Sequence, residues 1–339
     1  MIRRTIAVLT VLFLVSTGVF AAGEAEEVGE DDEIQIAILA KSLGNAFFEA
    51  ARDGAVEAAE ELGNVEIIYQ GPDEATAEGQ IEIIDSLIAQ GVHAIAISSN
   101  DPDALVPAAQ RAQDAGIEVV TFDSDIDADG RSVFLAPSDD ELIGRSQVQA
   151  IAEMVDYEGQ IAILSAAATA TNQNLWIEYM EDELSKPEYS DMELVDIVYG
   201  DDVSDLSYRE AVGLFSSYPD LAGIIAPTTV GVAATARAIQ DEGLVGEVQL
   251  TGLGLPSEMS QYVQDGVAEQ VALWNPIDLG YGITYIAHEL VRGNAVAEPG
   301  ALISVGQHGE VELDENLITF LGEPFVFDAS NIQDFEDVY

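Results

Sequence analysis

The chain contains no cysteine. Disulfides are therefore excluded, and so is the acylated cysteine that anchors a bacterial lipoprotein. Positive charge is scarce: 11 lysines and arginines stand against 63 aspartates and glutamates, a formal net charge of −52. A surface of that sign repels nucleic acid and anionic lipid, which removes both from the expected partners. A strongly acidic balance can mark disorder, but regular apolar runs recur along this chain and oppose that reading. Adaptation to high salt, where screening weakens self-repulsion, fits better. Histidine occurs only at His93, His288 and His308, without metal-ligand spacing. No Ser/His/Asp order stands out, so neither an enzyme nor a cofactor is expected.

Long hydrophobic runs are missing too, except at the start. Arg3 and Arg4 precede an apolar run over residues 6–15, and Val19-Phe20-Ala21 follows. That is the layout of a secretory signal peptide, residues 1–21, with cleavage after Ala21. The run is short for a membrane span, and acidic chain follows at once. Residues 22–33 are nearly all Gly, Ala, Glu and Asp, and read as a disordered leader. An exported protein without a lipid anchor must be retained by an outer membrane, so the expected location is the periplasm.

From residue 34 short apolar runs alternate with helical patterns. Strands are predicted at 34–39, 65–69, 94–98, 117–122 and 133–135, with helices at 45–62, 75–90 and 103–115. The pattern restarts with strands at 161–164, 194–198, 223–226, 248–253 and 268–273. Helices are predicted at 174–184, 205–217, 230–241, 258–264 and 279–291. Strands this apolar are buried on both faces, and the alternation implies parallel sheets with right-handed crossovers. Gly91, Gly116, Gly243 and Gly266 each stand where a helix should end in a left-handed residue. The fold class is α/β, two similar doubly wound parallel-sheet domains.

Ligands of such sheets bind beyond the carboxyl ends of the strands. The loops there are polar and aromatic: Lys41 to Phe48, Ser99-Asn100-Asp101, Asp123-Ser124-Asp125, Thr171 to Asn174, Pro227-Thr228-Thr229, and Trp274-Asn275-Pro276. Lys41 is one of only two lysines, Lys186 being the other. An ammonium directly after the first strand can donate to several hydroxyls at once. Phe47, Phe48, Trp176 and Trp274 supply faces that cover the C–H surface of a sugar. One of the two phenylalanines is expected in the core, because neighbours on a helix point different ways. Asn45, Asp101, Asp123, Asn172, Gln173 and Asn275 supply hydrogen bonds. Asp125 to Gly130 begins like a calcium loop, but Ala136 stands where a bidentate glutamate is needed. A solvated acidic turn is expected instead. The first strand-to-helix loop, Lys-Ser-Leu-Gly-Asn, is no dinucleotide fingerprint.

The whole mature chain resembles the type I periplasmic sugar-binding proteins of ABC importers, and within them the rhamnose-binding group. The resemblance lies in Ala40 to Phe48, Asn100 to Leu105, Thr171 to Asn174, Ile224 to Thr228, Thr251 to Met259, Trp274 to Tyr281 and Phe327 to Ile332. The autoinducer-2-binding proteins are the near relatives. Their ligand positions fall on Lys41, Asp123, Asn172, Gln173, Pro227 and Thr229, but aspartate is expected where Asn172 stands and alanine where Thr229 stands. The resemblance implies three crossings between domains, near 136–138, 275–276 and 306–309. One domain would hold 34–137 with 276–307, and the other 138–275 with 308–339. It also implies a monomer that binds a monosaccharide between the domains, delivers it to permease subunits, and breaks no bond. A transcriptional regulator on this fold would need an N-terminal helix-turn-helix and a basic face, and the sequence has neither.

Overall fold

The computed structural model describes residues 32–339. The signal segment and nearly all of the acidic leader lie outside the described residues.

In chain order the elements are β1 (Ile34–Leu39), α1 (Ala46–Leu62), β2 (Val65–Gln70), α2 (Ala77–Gln90), β3 (Ala94–Ile97), α3 (Val106–Asp114), β4 (Glu118–Phe122) and β5 (Phe134–Ala136). Next come α4 (Asp140–Met154), β6 (Gly159–Ser165), α5 (Thr171–Leu184), β7 (Met192–Tyr199), α6 (Ser204–Ser217) and β8 (Leu221–Ala226). They continue with α7 (Thr229–Glu242), β9 (Gln249–Gly252), α8 (Pro256–Gln264), β10 (Gln270–Leu273) and α9 (Pro276–Val291). Four short strands close the chain: β11 (Leu302–Ser304), β12 (Glu310–Glu312), β13 (Ile318–Phe320) and β14 (Phe325–Asp328).

The first sheet has the order β13-β5-β4-β3-β1-β2 and is parallel throughout. The second has the order β7-β6-β8-β9, also parallel. The antiparallel pair β10 and β14 extends it, since Leu253 bridges to Ala272 beyond the end of β9. Central strands are fully buried, as their unbroken apolar runs require; all of β3 and nearly all of β1 are inaccessible. The four glycines expected at helix ends have φ of 74°, 83°, 73° and 72°, the left-handed conformation.

α1 and α9 cross without intervening side chains. A Cβ on Gly54 would lie 1.9 Å from the carbonyl oxygen of Ile277, and one on Gly280 would lie 1.8 Å from that of Ala51. Both helices begin at the same end of the first sheet. Asn45 caps α1 by accepting from the Phe47 amide at 3.0 Å, and Asn275 caps α9 by accepting from Ile277 at 2.9 Å.

Two expectations need correction. The helix α4 was not predicted. Its inward positions are Ile143, Gly144, Gln147, Val148, Ile151 and Ala152, and Gly144 and Gln147 interrupt the apolar stripe that marks a helix. The third crossing was placed at 306–309, but there the chain only turns between β11 and β12, a separate two-stranded sheet, and has not joined the second sheet. Gln307 donates its amide to the Tyr281 hydroxyl at 3.2 Å, and that hydroxyl donates to Glu61 at 2.6 Å, so the turn is tied to α9 and α1. β13 then pairs with β5 in the first sheet, and only β14 joins the second. The change of sheet falls at residues 321–324.

Candidate ligand-binding site

The strand-end loops of the two sheets converge on a cavity. Of the sequence-predicted residues, Lys41, Asn45, Phe47, Phe48, Asp123, Gln173, Trp176, Pro227, Thr229 and Trp274 line it.

The polar wall is built around Lys41, which is 3% exposed. Its ammonium donates to Asn172 Oδ1 at 2.9 Å and to Gln173 Oε1 at 3.5 Å, and lies 3.8 Å from Asp123. Asn172 is thus not in the wall itself but directly behind it. Its Nδ2 approaches the carbonyl and the carboxylate of Asp123, both at 3.4 Å. Asn172 and Gln173 stand in the first turn of α5, which begins at Thr171 rather than at the predicted residue 174. Asp123 directly follows β4 in a left-handed conformation, φ 60°, and accepts from the Ser98 hydroxyl at 2.6 Å. Burial pushes its carboxyl above the usual range, while the Lys41 charge and the Ser98 hydroxyl pull it back.

The second wall is aromatic. Ring centroids run from Phe48 to Phe47 at 5.2 Å, from Phe47 to Trp274 at 6.1 Å and from Trp274 to Trp176 at 5.8 Å, all edge-on. Both phenylalanines line the cavity, and both also belong to the hydrophobic core around it. Phe48 meets Phe122 on its other side at 6.4 Å. A single turn of α1 against Trp274 lets adjacent residues share one wall. Trp176 is oriented from behind: its Nε1 donates to Asp140 at 2.6 Å. Burial raises the Asp140 carboxyl to about 6, against the opposing effect of that hydrogen bond.

Besides Asn172, two predicted residues stand outside the cavity. Asp101 accepts from the amides of Asp103 and Ala104, at 3.0 and 2.8 Å, and shapes the turn into α3. Asn275 caps α9 and faces a separate groove shared with Leu321, Phe325 and Tyr339. The sequence reading missed Asp202, Thr228, Leu253 and Leu273, all of which line the cavity. Asp202 follows β7 and accepts from the Thr228 hydroxyl. In so acidic a chain one more aspartate does not stand out; its only mark was its place after a strand.

The calcium-like stretch is organised by protein groups. Asp125 pairs with Arg131 at 2.9 Å, and Asp127 accepts from the Asp129 amide at 3.0 Å. Among the described residues no cluster of three or more metal-ligating side chains occurs.

The fold and its cleft define a class of solute-binding proteins, and the sequence agrees. Residues 36–295 match the periplasmic binding protein domain. The chain belongs to that family, the non-enzymatic solute-binding proteins of sugar ABC transporters. An ABC transporter solute-binding protein from Clostridium phytofermentas with bound L-rhamnose is 37% identical, with a TM-score of 0.87, over 91% of this chain and 99% of that one. LsrB from Clostridium saccharobutylicum, in complex with AI-2, is 28% identical, with a TM-score of 0.85, over 89% and 99%. The D-ribose/D-allose-binding protein of Pseudomonas aeruginosa is 25% identical over 76% of this chain and 82% of its own length.

Proposed function

We propose that this protein captures a neutral 6-deoxyhexose, rhamnose foremost, between two closing domains and delivers it to the permease of an ABC importer from the periplasmic side. The domains are the portions built on the two sheets, and the hinge is the set of segments that pass between them near 136–138, 275–276 and 321–324. Closure about such a hinge buries the ligand.

The observation that carries this reading is the opposition of the two walls. Phe47, Phe48, Trp176 and Trp274 form an apolar face, and Lys41, Asp123 and Gln173 form a polar one. A pyranose has hydroxyls at its rim and C–H groups on its faces, which suits that division. The methyl of a deoxy sugar gains roughly 0.8 kcal/mol or more from an apolar wall. Asn172 adds to the argument. From behind the wall its amide accepts from Lys41 and donates toward Asp123, holding both for a neutral ligand, whereas an aspartate would only accept. The rhamnose-bound relative supports the same choice.

AI-2 is the second reading. It is favoured by Lys41, Asp123, Gln173 and Pro227, which match the pattern of its binding proteins, and by the likeness to LsrB. Asn172 and Thr229 depart from that pattern. Calorimetric titration with rhamnose, fucose, ribose and AI-2 on one preparation in high salt separates the readings. Tightest binding of rhamnose is expected; tightest binding of AI-2 with rhamnose silent would reverse the order.

A further inference from the structure

Asp202 lies in a cavity whose other acid, Asp123, is already matched by the lysine. Its backbone and that of Asp201 are both left-handed, with φ of 52° and 51°. Consecutive non-glycine residues in that region are costly and persist where the surroundings impose them. The surroundings here are specific. The Gly200 and Asp201 amides donate to the carbonyls of Ser165 and Ala166, at 2.9 and 3.1 Å, which ties the loop after β7 to the loop after β6. The Thr228 hydroxyl, on the loop after β8, then holds Asp202 Oδ1. Oδ2 has no protein hydrogen-bond partner among the described residues, although the carboxylate lines the cavity. Asp202 is half-buried, so Oδ2 is left to water until a ligand fills the cavity, and the ligand must then supply a donor in its place.

From this geometry we infer that Asp202 is a specificity-determining residue: its free Oδ2 accepts a ligand hydroxyl and bars ligands that carry a carboxylate or phosphate. Its position supports both parts. Lys41 and Asp123 belong to the first sheet's loops and Asp202 to the second's, so the ligand is gripped by charged groups from both halves. The cavity then holds two carboxylates and one ammonium. A sugar acid would add a third negative charge at short range in a poorly solvated space, and like charges there are strongly unfavourable. A neutral polyol instead supplies the missing donor. Burial also pushes the Asp202 carboxyl up, opposed by the Thr228 hydroxyl and by Lys41, in keeping with a group that still lacks its full set of donors.

This inference rests on the cavity being a sugar site, and the experiment separates the two. Wild type and Asp202→Asn are titrated with L-rhamnose, AI-2 and D-galacturonate by calorimetry. Asparagine tolerates left-handed backbone and can keep a bond to Thr228, so the fold is retained, as circular dichroism and melting check. The expected result is a tenfold or greater loss of affinity for the neutral ligand in Asp202→Asn, in line with loss of a charged acceptor. The ratio of neutral ligand to galacturonate should fall with it. Wild-type preference for AI-2 over rhamnose would overturn the rhamnose reading alone, and the effect of Asp202→Asn is then read on AI-2. Retained affinity within about twofold, with the ratio unchanged, would overturn the role of Asp202. Wild-type silence toward all three ligands would overturn both readings.

Discussion

Lys41, at the end of the first strand of the first sheet, donates its ammonium to Asn172 on the second sheet's side, 131 residues away, at 2.9 Å. A second link crosses the same cleft, from the Thr169 hydroxyl to the Asn100 carbonyl at 3.0 Å. The two halves therefore meet through protein groups at the place where a sugar would sit. A ligand hydroxyl entering there must take over bonds that these side chains otherwise make with each other.

Lys41→Ala and Asp123→Ala are each expected to abolish measurable sugar binding while the protein stays folded. Removing the ammonium leaves Asp123 buried without its counter-charge, and removing the carboxylate leaves Lys41 in the same position. Each loss is expected to exceed about 3 kcal/mol, a hundredfold or more in affinity. Calorimetry measures it, and unchanged circular dichroism confirms the fold. Retained affinity in either variant would move the site elsewhere.

Asn172→Asp tests why this chain has an amide where its AI-2-binding relatives are expected to have a carboxylate. The new carboxylate would gain from Lys41 but lie about as close to Asp123 as the present Nδ2 does, at 3.4 Å. Two carboxylates that close raise each other's proton affinity. Rhamnose binding should weaken by about tenfold or more, and the preference should shift toward AI-2. Paired titrations on the variant measure the shift; an unchanged ratio would mean that Asn172 does not select the ligand.

A pH dependence follows from Asp140. Its folded-state carboxyl is raised to about 6 from an ordinary 3.8. The folded protein then holds the proton more tightly than the unfolded chain. Stability from this group is fully present below about pH 4 and is lost as pH rises through about 6. Asp140→Asn removes that slope, so its melting temperature should gain on the wild type between pH 4 and pH 7. Because Asp140 accepts from the Trp176 indole, tryptophan emission of the wild type should also change with a midpoint near pH 6. A flat emission profile would show that the carboxyl is ionised throughout.

Much of this architecture was legible because the central strands are apolar on both faces. β1 and β3 admit no reading other than buried parallel strands. β11 to β14 are largely exposed, each with a single buried residue, and so lack such unbroken apolar runs. The third crossing was placed by resemblance, with no strand pattern there to check it, and only the pairing of β13 with β5 shows where the chain stays. The site was legible where a residue was rare. Lys41 stands out in a chain with two lysines, as do both tryptophans. Asp202 and Asp101 were indistinguishable by type, and only packing separates the one in the cavity from the one that caps a turn.

Stability should depend on salt. The formal charge of −52 is carried on a surface with few cations to offset it. The Debye length shrinks from about 10 Å at 0.1 M to about 3 Å at 1 M, which suppresses repulsion between exposed carboxylates. The melting temperature should rise across that range. A constant value would show that the acidic residues are spaced too widely to repel.

The bare crossing of α1 and α9 has a consequence for the evolution of ligand choice. Phe47 and Phe48 ride on one helix and Trp274 leads into the other, so the spacing of the aromatic wall is inherited from the spacing of the helices. Gly54 and Gly280 fix that spacing by having nothing to interpose. A lineage that gained a methyl at either position would spread the wall from behind without changing any residue a sugar touches. The width of the cleft is thus an inheritable trait held by two residues outside it, and a search for specificity confined to ligand contacts would pass over both.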